Sequence, residues 1–516
     1  MTGIETPQGL LEAMQQLRSD VIANTEEIFG AWQPAITRPG FSTSARNLAC
    51  YLVLRRRELP SLQLALMRWG LSSLGRCESH VQATLDAVIA TLGAMCGRDP
   101  GTLPPYPDEE AVFNGTQVIA REAALFFGGA KSQRRTRIMV TLPTEASQDL
   151  TWMQALVQAG VNCVRINCAH DTSEVWSGML RNLRAAEREL GLREPVHVLM
   201  DLGGPKVRTV RPKKHSKDVY QVGDKLLLTS AHNLERLSNH HHEEDKSALP
   251  IVGCTLPEVL DRLTAGERVY IDDGEIGALA LERVADGVVI EIVHAPVKGR
   301  KIRSDKGLNF PDTDFEVESI TEKDRSDLTF AVRHADMIGY SFVQTEADID
   351  VLLAELAERV PSGQEPPALV LKIETKRAVR NLPELIVRAA GKVPTAVMIA
   401  RGDLAIELGF QRVAEMQEEI LWLCEAAHVP VIWATQVLER LAKEGLPTRA
   451  ELTDAAMANR AECVMLNKGP HILDAIRMLD DVLARMEGHQ HKKTPQLRVL
   501  HSWQSAFSAD EGRRLT

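Results

Sequence analysis

The sequence predicts an α/β protein built on a TIM (β/α)8 barrel, with an inserted small β-barrel lid domain and an extra N-terminal helical domain. From Arg137 onward, short apolar or β-branched runs alternate with amphipathic helical segments, a pattern typical of βα units and a parallel sheet. Eight such runs follow in series, which favours a closed barrel. Polar side chains stand at, or just past, the ends of these runs, where barrels of this kind carry their active sites. They are Arg165, Asp201, Lys372, Glu374, Asp403 and Thr435.

The eight predicted strands are residues 137–141, 163–167, 196–201, 337–342, 369–374, 396–400, 429–435 and 463–467. The segments between them are patterned as helices. Val413, Met416, Ile420 and Leu423, for example, form a single apolar face.

Two segments lie outside this pattern. The first hundred or so residues read as helical, because Leu10, Met14, Leu17 and Val21 recur at three- and four-residue spacing. After the third strand, short alternating runs and turn signals such as Asp272-Asp273-Gly274 predict a small all-β insertion. An insertion at that position could close over the site as a lid and exclude water.

These patterns predict the following domain boundaries: an N-terminal helical region at 1–110, the first part of the barrel at 111–208, the β lid at 209–310, the second part of the barrel at 311–490 and a C-terminal tail at 491–516.

Composition narrows the classes of partner and compartment. A formal net charge of −10 disfavours nucleic acid as the main partner. No apolar run reaches the length that spans a bilayer, and the first ten residues lack a signal-peptide core. The eight cysteines form no CxxC pair, which favours buried reduced thiols. We therefore expect a cytoplasmic protein that binds neither membrane nor nucleic acid.

The fifth and sixth strand ends carry the strongest chemical signal. Lys372 and Glu374 are two residues apart on a strand and so face the same side. Asp403 follows the next strand, and two carboxylates with few other ligands suit a hard cation such as Mg²⁺, or Mn²⁺ in its place. The Gly402-Asp403 turn opens a helix whose amides are a seat for a carboxylate or phosphate. The alternative is a surface Lys372–Glu374 pair, with Asp403 as a helix N-cap.

Two further strand-end residues are candidates. Arg165 extends from an otherwise apolar strand, so it either binds an anion such as phosphate or pairs with a carboxylate such as Asp201. Thr435 could hydrogen-bond substrate or relay a proton, although threonines are common at strand ends.

Eight motifs occur in the order found in pyruvate kinases, and the chain resembles that family's barrel and lid over roughly residues 135–485. The motifs are VRINCAH (164–170), DLGGPKVRT (201–209), IDDG (271–274), KGLNFP (306–311), LKIE (371–374), ARGDLAIE (400–407), ATQVLE (434–439) and PTRAE (447–451).

The resemblance implies a glycolytic transferase, a kinase that moves a phosphoryl group from phosphoenolpyruvate to a nucleoside diphosphate such as ADP, giving pyruvate and a nucleoside triphosphate such as ATP. It implies that Lys372 stabilises the phosphoryl group, that Arg165 holds the phosphate, and that Thr435 lies near the carbon that is protonated. Glu374 and Asp403 would bind Mg²⁺, and the Gly402 and Asp403 amides would hold the substrate carboxylate. The implied nucleotide-side residues are Asn167, His170, Arg208 and Lys306.

The chain departs from the family at the site for a monovalent cation. The family binds that ion through Asn, Ser, Asp and Thr, but Ala169 stands at the Ser position and Leu202 at the Thr position. Lys206 replaces a family glutamate, and its ammonium group could supply the missing positive charge. We therefore expect activity that does not require potassium.

Other departures keep alternatives open. The motifs after the first, fifth and eighth strands are altered, and we expect the family's C-terminal domain, with its effector site and much of its tetramer contact, to be missing. The sequence is also compatible with a homo-oligomer. One alternative is a barrel enzyme that uses phosphoenolpyruvate with another acceptor. Another is a catalytically silent relative that binds metabolite and contacts a partner through its helical region.

Two histidine-containing segments are expected to face solvent. One is the polar tract 240–245 in the lid. The other is the group His489, His491, Lys492 and Lys493 near the C-terminus.

Overall fold

The computed structural model describes residues 4–130, 134–212, 219–240, 249–315 and 318–496, with 238–240 as backbone alone. Five helices make up the N-terminal region: α1 Pro7–Trp32, α2 Ser42–Arg55, α3 Pro60–Arg68, α4 Val81–Met95 and α5 Glu109–Phe127. Helix α1 begins at Pro7 because the Thr6 hydroxyl accepts a hydrogen bond from the Gly9 amide. Its predicted apolar face is buried against α2 and α4.

The helical region is docked on the barrel through apolar and polar contacts. Its buried residues belong to the same hydrophobic cluster as those between the barrel strands and their helices. Phe126 and Phe127, at the end of α5, are buried against the side chains that fill the barrel interior. The Asn47 amide donates to the Ala426 carbonyl at 2.8 Å, and the His428 ring lies 2.9 Å from both the Ser44 hydroxyl and the Ser79 carbonyl.

The first part of the barrel consists of β1 Arg137–Thr141, α6 Leu150–Gln158, β2 Cys163–Asn167, α7 Ser173–Glu189 and β3 His197–Asp201. The lid follows, with β4 Thr209–Val210, β5 Lys225–Ser230, α8 Ala231–His240, β6 Ile251–Cys254, α9 Pro257–Arg262, β7 Arg268–Ile271, β8 Ile276–Val284, β9 Gly287–His294 and β10 Leu308–Asn309. Its seven strands form one mixed sheet around a separate apolar cluster. The two chain segments that join this sheet to the barrel, around Val207 and Leu308, run side by side.

The second part of the barrel completes the fold. Its elements are α10 Glu322–His334, β11 Met337–Tyr340, α11 Glu346–Arg359, β12 Ala368–Ile373, α12 Lys376–Arg380, α13 Leu382–Ala390, β13 Thr395–Ala400, α14 Arg401–Leu408, α15 Phe410–Ala426, β14 Val431–Ala434, α16 Glu439–Glu444, α17 Arg449–Met457, β15 Cys463–Leu466 and α18 Ile472–Glu487. A short hairpin of β16 Gln490–His491 and β17 Thr494–Pro495 follows.

The predicted barrel is confirmed. Eight strands pair in parallel in the closed order β1-β15-β14-β13-β12-β11-β3-β2, so all of their C-terminal ends meet at one rim. Four strands end one or two residues earlier than the apolar pattern suggests, at Tyr340, Ile373, Ala434 and Leu466. Phe342 and Thr435, which the pattern had included, have positive φ values of 57° and 65° and turn the chain out of the sheet.

The expectation for the C-terminal segment was wrong for three of its four residues. His489 is exposed, but His491, Lys492 and Lys493 are half-buried beneath the barrel. Lys492 pairs with Glu462 and Lys493 with Glu78, because buried carboxylates there require counter-charges. The tract 240–245 lies outside the residues whose side chains are described. All eight cysteines are free, and all but Cys96 are buried. None of the described helices combines the length and apolar character needed to cross a membrane.

Candidate active site

The ends of three strands, β2, β3 and β12, bring a buried ionic cluster to the rim. Asp201, at the end of β3, is fully buried, and one of its oxygens lies 2.6 Å from Nη2 of Arg165 on β2. Its other oxygen lies 3.3 Å from Nζ of Lys372 on β12. Arg165 also donates to the Thr141 hydroxyl at 3.1 Å. Arg165 therefore pairs with Asp201, as one alternative held, and does so at the barrel rim.

Lys372 and Glu374 are not a surface pair. Their exposed fractions are 9% and 3%, and Nζ lies 3.1 Å from Glu374 Oε1. The second Glu374 oxygen accepts the Phe342 amide at 2.6 Å, and Nζ of Lys372 donates to the Ser341 hydroxyl at 2.6 Å. The turn formed by Ser341 and Phe342 after β11 thus fixes both side chains.

The electrostatics of the cluster follow from burial and pairing. Burial alone would raise the pKa of Asp201, but Lys372 and Arg165 hold it below its ordinary value. Burial would lower the pKa of Lys372, but Asp201 and Glu374 raise it, so the ammonium stays charged. Burial and the nearby Asp403 raise the pKa of Glu374. The cluster therefore places the fixed cations Lys372 and Arg165 near the carboxylate of Glu374, and the negative charge of that carboxylate is only partly compensated.

Helix α14 places Asp403 opposite that carboxylate. Asp403 occupies the third helical position and is no N-cap, since the cap residue is Ala400. One of its oxygens accepts a hydrogen bond from Nζ of Lys206 at 2.7 Å, and Lys206 also lies 3.6 Å from Asp273 of the lid. Lys206 therefore links the lid, its connecting segment and the rim.

Thr435 is held in a strained conformation beside α14. A β-branched residue at φ 65° costs roughly 1–3 kcal/mol, so its surroundings must impose it. Arg401 imposes it, because its guanidinium donates to the Ala434 and Thr435 carbonyls and forms a two-pronged pair with Asp454. The Thr435 hydroxyl accepts the Gly402 amide at 2.9 Å. That amide is therefore engaged, while the hydroxyl proton remains available to donate.

The four nucleotide-side candidates lie toward the lid. Arg208 lies 3.2 Å from Asp305, and Lys306 lies 2.8 Å from Asp272, so both are paired within the lid and its connecting segments. Burial, followed by the positive charges of Lys468 and Arg208, lowers the pKa of the His170 imidazole.

The fourth candidate, Asn167, accepts a hydrogen bond from the Ala169 amide at 3.2 Å.

A cleft of about 660 Å³ opens beside Lys206. Glu407 lines that cleft, and burial together with Asp403 raises its pKa to about 7.

Comparison with known proteins places this site in a family. Residues 133–470 match the family model described as the pyruvate kinase barrel domain. The chain is 33% identical to pyruvate kinase of Thermotoga maritima over 363 residues, which are 69% of this chain and 71% of that protein. The chain belongs to the pyruvate kinase family. It is thus an enzyme of the phosphotransferase kind, as the sequence predicted.

Other relatives show how much of the family is shared. Pyruvate kinase 1 of Candida glabrata is 31% identical over 69% of this chain and 68% of its own length. Pyruvate kinase of Geobacillus stearothermophilus is 29% identical over 69% of this chain and 57% of its own length. The chain thus spans between about half and three quarters of the relatives it matches.

In this pyruvate kinase relative, the positions expected to bind a monovalent cation offer few free oxygens. Ala169 has no side-chain oxygen, and Leu202 is buried with 2% exposure. Asn167 Oδ1 is engaged by the Ala169 amide, and Asp201 is engaged by Arg165 and Lys372.

A divalent cation fits better. Glu374 and Asp403 are hard oxygen donors, and each carboxylate raises the need for positive charge near the other. Within the described part of the chain, no three acidic, histidine or cysteine side chains form a metal cluster. A cation held by this pair would therefore complete its shell with water and substrate oxygens, as Mg²⁺ commonly does.

Three contributors to the site were not singled out from the sequence. Ser341 orients Lys372, Asp454 anchors Arg401, and Thr141 supports Arg165. Ser341 and Thr141 carry the same signal as the recognised residues, a polar side chain at a strand end. Asp454 carries none, because it lies on α17, 53 residues from its partner.

Proposed function

We propose that this chain transfers the phosphoryl group of phosphoenolpyruvate to a nucleoside diphosphate, with Mg²⁺ or Mn²⁺ and without a requirement for potassium. The observation that carries the proposal is the buried cluster of Lys372, Arg165 and Asp201 beside the carboxylates Glu374 and Asp403. Fixed cations at a water-poor rim match the demands of phosphoryl transfer, which depends mainly on positioning and charge stabilisation.

The roles of the residues follow from their contacts. Asp201 and Glu374 keep Lys372 charged, and Asp201 fixes the Arg165 guanidinium at 2.6 Å, so both cations are positioned to stabilise a phosphoryl group in transit. The bond from phosphorus to the enol oxygen breaks, a bond to a terminal oxygen of the nucleoside diphosphate forms, and the enolpyruvate takes a proton at its methylene carbon. Thr435 hydrogen-bonds the substrate near that carbon, since its hydroxyl proton is free.

Substrate and metal would be held next to each other at the start of α14. Glu374 and Asp403 would hold the divalent cation, which when bound supplies charge neutralisation for the phosphoryl oxygens. The Asp403 amide, with Gly402 beside it, would receive the substrate carboxylate at the start of α14. The nucleotide phosphates would contact Asn167, His170, Arg208 and Lys306. On binding, Arg208 would leave Asp305 and Lys306 would leave Asp272 to pair with phosphate oxygens.

The proposed independence from potassium rests on Lys206. Its ammonium group is already 2.7 Å from Asp403, so a monovalent charge is built into the rim. The four positions that hold the ion in the family lack two oxygens here, and the other two are engaged. We further propose that the enzyme works in the cytoplasm, where the reducing environment suits eight free cysteines.

The test is pyruvate formation from phosphoenolpyruvate and ADP with Mg²⁺, with and without potassium at constant ionic strength. We expect turnover that needs Mg²⁺, is unchanged by potassium and falls by about 10³-fold or more in Lys372→Met. Circular dichroism and thermal unfolding would show that the variant is folded. Binding of phosphoenolpyruvate without turnover for any nucleoside diphosphate would refute the kinase assignment and favour another acceptor or a regulatory role.

A further inference from the structure

A second cavity lies at the opposite end of the barrel from the rim. It has a volume of about 280 Å³. It is enclosed by the segment before α4, helix α5, the N-terminal ends of β1 and β15, the C-terminal ends of α15 and α18, and the hairpin of β16 and β17. Conserved function in barrels of this kind is expected at the C-terminal rim, and this N-terminal face usually contributes stability alone. We call this cavity the floor cavity.

The floor cavity is rich in basic groups. Arg76, Arg135, Arg137, Arg460, His80 and Lys492 line it. The acidic groups around it are Glu425, Glu462 and Glu487.

Most of the acidic charge is already committed. Glu462 pairs with Lys492 and accepts the Val431 amide, and Glu487 pairs with Arg135. Burial raises the pKa of the third, Glu425, to about 7, so it is only partly ionised at neutral pH. Little negative charge therefore remains for the other cations.

Arg137 is a buried cation that has no carboxylate partner among the described residues. It is 6% exposed, and within the described part of the chain its guanidinium donates only to the Gly128 and Arg135 carbonyls, each at 3.0 Å. The nearby Arg134 is equally buried, but it has a carboxylate partner, Asp480, and three further oxygen acceptors. Burial of a guanidinium without a carboxylate is costly, and burial accordingly lowers the pKa of Arg137.

Two more arginines on the floor cavity have unused donors. Arg76 forms no ion pair and no side-chain hydrogen bond within the described residues. Arg460 pairs with Glu418 through Nη1, but its Nε is buried without a hydrogen-bond partner in the same part of the chain. Burial lowers the pKa of the His491 imidazole to about 4, and the positive charges of Arg135 and Lys492 act in the same direction.

We propose that the floor cavity is a binding site for a small multivalent oxyanion, a compact phosphate or carboxylate metabolite. Planar guanidinium groups match phosphate and carboxylate oxygens. Arg76 and Arg137 have no carboxylate partner among the described residues, so together they supply more charge than one monovalent ion needs, and Nε of Arg460 adds a free donor. The volume excludes a whole nucleotide and admits a compact ligand. Because the helical region, the barrel and the hairpin each line the cavity, a bound anion ties all three together.

Hydrogen exchange tests this site separately from the rim, where anions also bind. The probes are inorganic phosphate and citrate, added to the full chain at constant ionic strength, and the peptides compared are 76–80 and 490–495 against 372–376. We expect protection of the floor peptides in the wild type. We expect apparent affinity to weaken by about tenfold or more in Arg137→Gln, and also to weaken in Arg76→Gln.

A matched control and a second variant keep the test decisive. Arg377→Gln removes an arginine that lines the cleft at the rim and has no ion pair among the described residues, and floor protection should be unchanged in it. If Arg137→Gln does not fold by circular dichroism, Arg76→Gln still tests the site, because Arg76 is exposed. Protection by only one of the probes would identify the ligand class. Absence of floor protection in the wild type, or protection undiminished in both folded variants, would overturn the proposal.

Discussion

Replacing Lys206 by methionine tests whether its ammonium group takes the place of a monovalent cation. The side chains of Lys206 and Asp403 are 18% and 17% exposed, and their charged atoms are 2.7 Å apart. At an effective dielectric constant of ~20, that distance corresponds to a gross attraction of about 6 kcal/mol, and the Asp273 contact at 3.6 Å to about 5 kcal/mol.

Most of this attraction is offset by desolvation and is present with and without substrate, so only a part affects the reaction. Loss of one preorganised charge at a phosphoryl-transfer site typically costs about 2.7–4 kcal/mol, which is a factor of about 10²–10³ in turnover. We therefore expect Lys206→Met to lower turnover by that factor, while the free energy of unfolding changes by only about 1 kcal/mol.

Potassium distinguishes charge replacement from a general structural defect. Potassium should not restore Lys206→Met, because Ala169 and Leu202 provide no side-chain oxygen. We expect Lys206→Glu combined with Ala169→Ser and Leu202→Thr to require potassium. Leu202→Thr buries a hydroxyl at a position of 2% exposure, so this variant should also be less stable by about 1–3 kcal/mol.

The assay is steady-state pyruvate formation in potassium, sodium or tetramethylammonium chloride at fixed ionic strength, which holds screening constant. Lys443→Met is the matched control, because it removes one exposed lysine charge on α16 and should leave turnover unchanged. A strong requirement for potassium in the wild type, or full activity of Lys206→Met without potassium, would refute the reasoning.

Three further predictions concern the rim and the floor. Arg401→Lys cannot form the two-pronged pair with Asp454 and should lower turnover about 10–100-fold in the pyruvate assay. Asp454→Asn should reproduce most of this loss. Normal turnover in both variants would contradict the role of Arg401 in holding Thr435. Thr435→Ser keeps the hydroxyl and should stay within about tenfold of wild type, whereas Thr435→Ala should lose about 10²-fold in turnover, and equal rates for the two would exclude a role for the hydroxyl. For Glu425 the folded-state pKa of about 7 lies above the ordinary 4.5, so its contribution to stability is full below pH 4.5 and is lost as pH rises toward 7. Relative to wild type, Glu425→Gln should therefore gain on the order of 1–3 kcal/mol in urea unfolding at pH 8 compared with pH 5, and a pH-independent difference would contradict this.

Much of the barrel could be predicted from the sequence because each strand is a local feature. Apolar runs such as Cys463–Leu466 show that both faces of a parallel strand are buried, and this burial needs no knowledge of the partner strands. The ends of the strands were less certain. At Phe342 and Thr435 the residue types favour a strand, but contacts with Glu374 and Arg401 hold the backbone in a turn.

The chemistry at the rim divides in the same way. Residue type and strand-end position alone singled out Arg165, Lys372 and Glu374, because an ionic side chain at the end of a buried strand is costly unless it has a partner or a ligand. Residue type and position did not identify the partner of Arg165. The sequence allowed Arg165 either to bind an anion or to pair with Asp201. The pairing follows from the adjacency of β2 and β3 in the barrel.

The sequence by itself determined the fold class, the family and the list of charged groups at the rim, since those depend on periodicity and on the order of motifs along the chain. Only the tertiary structure decided that Lys206 contacts Asp403, 197 residues away, and that Asp454 anchors Arg401. It alone placed Lys492 beside Glu462 and revealed the arginines of the floor cavity. The physical reason is that a pairing between charges depends on distances of a few ångströms and on local burial, which closure of the barrel sets and which no pattern of neighbouring residues records.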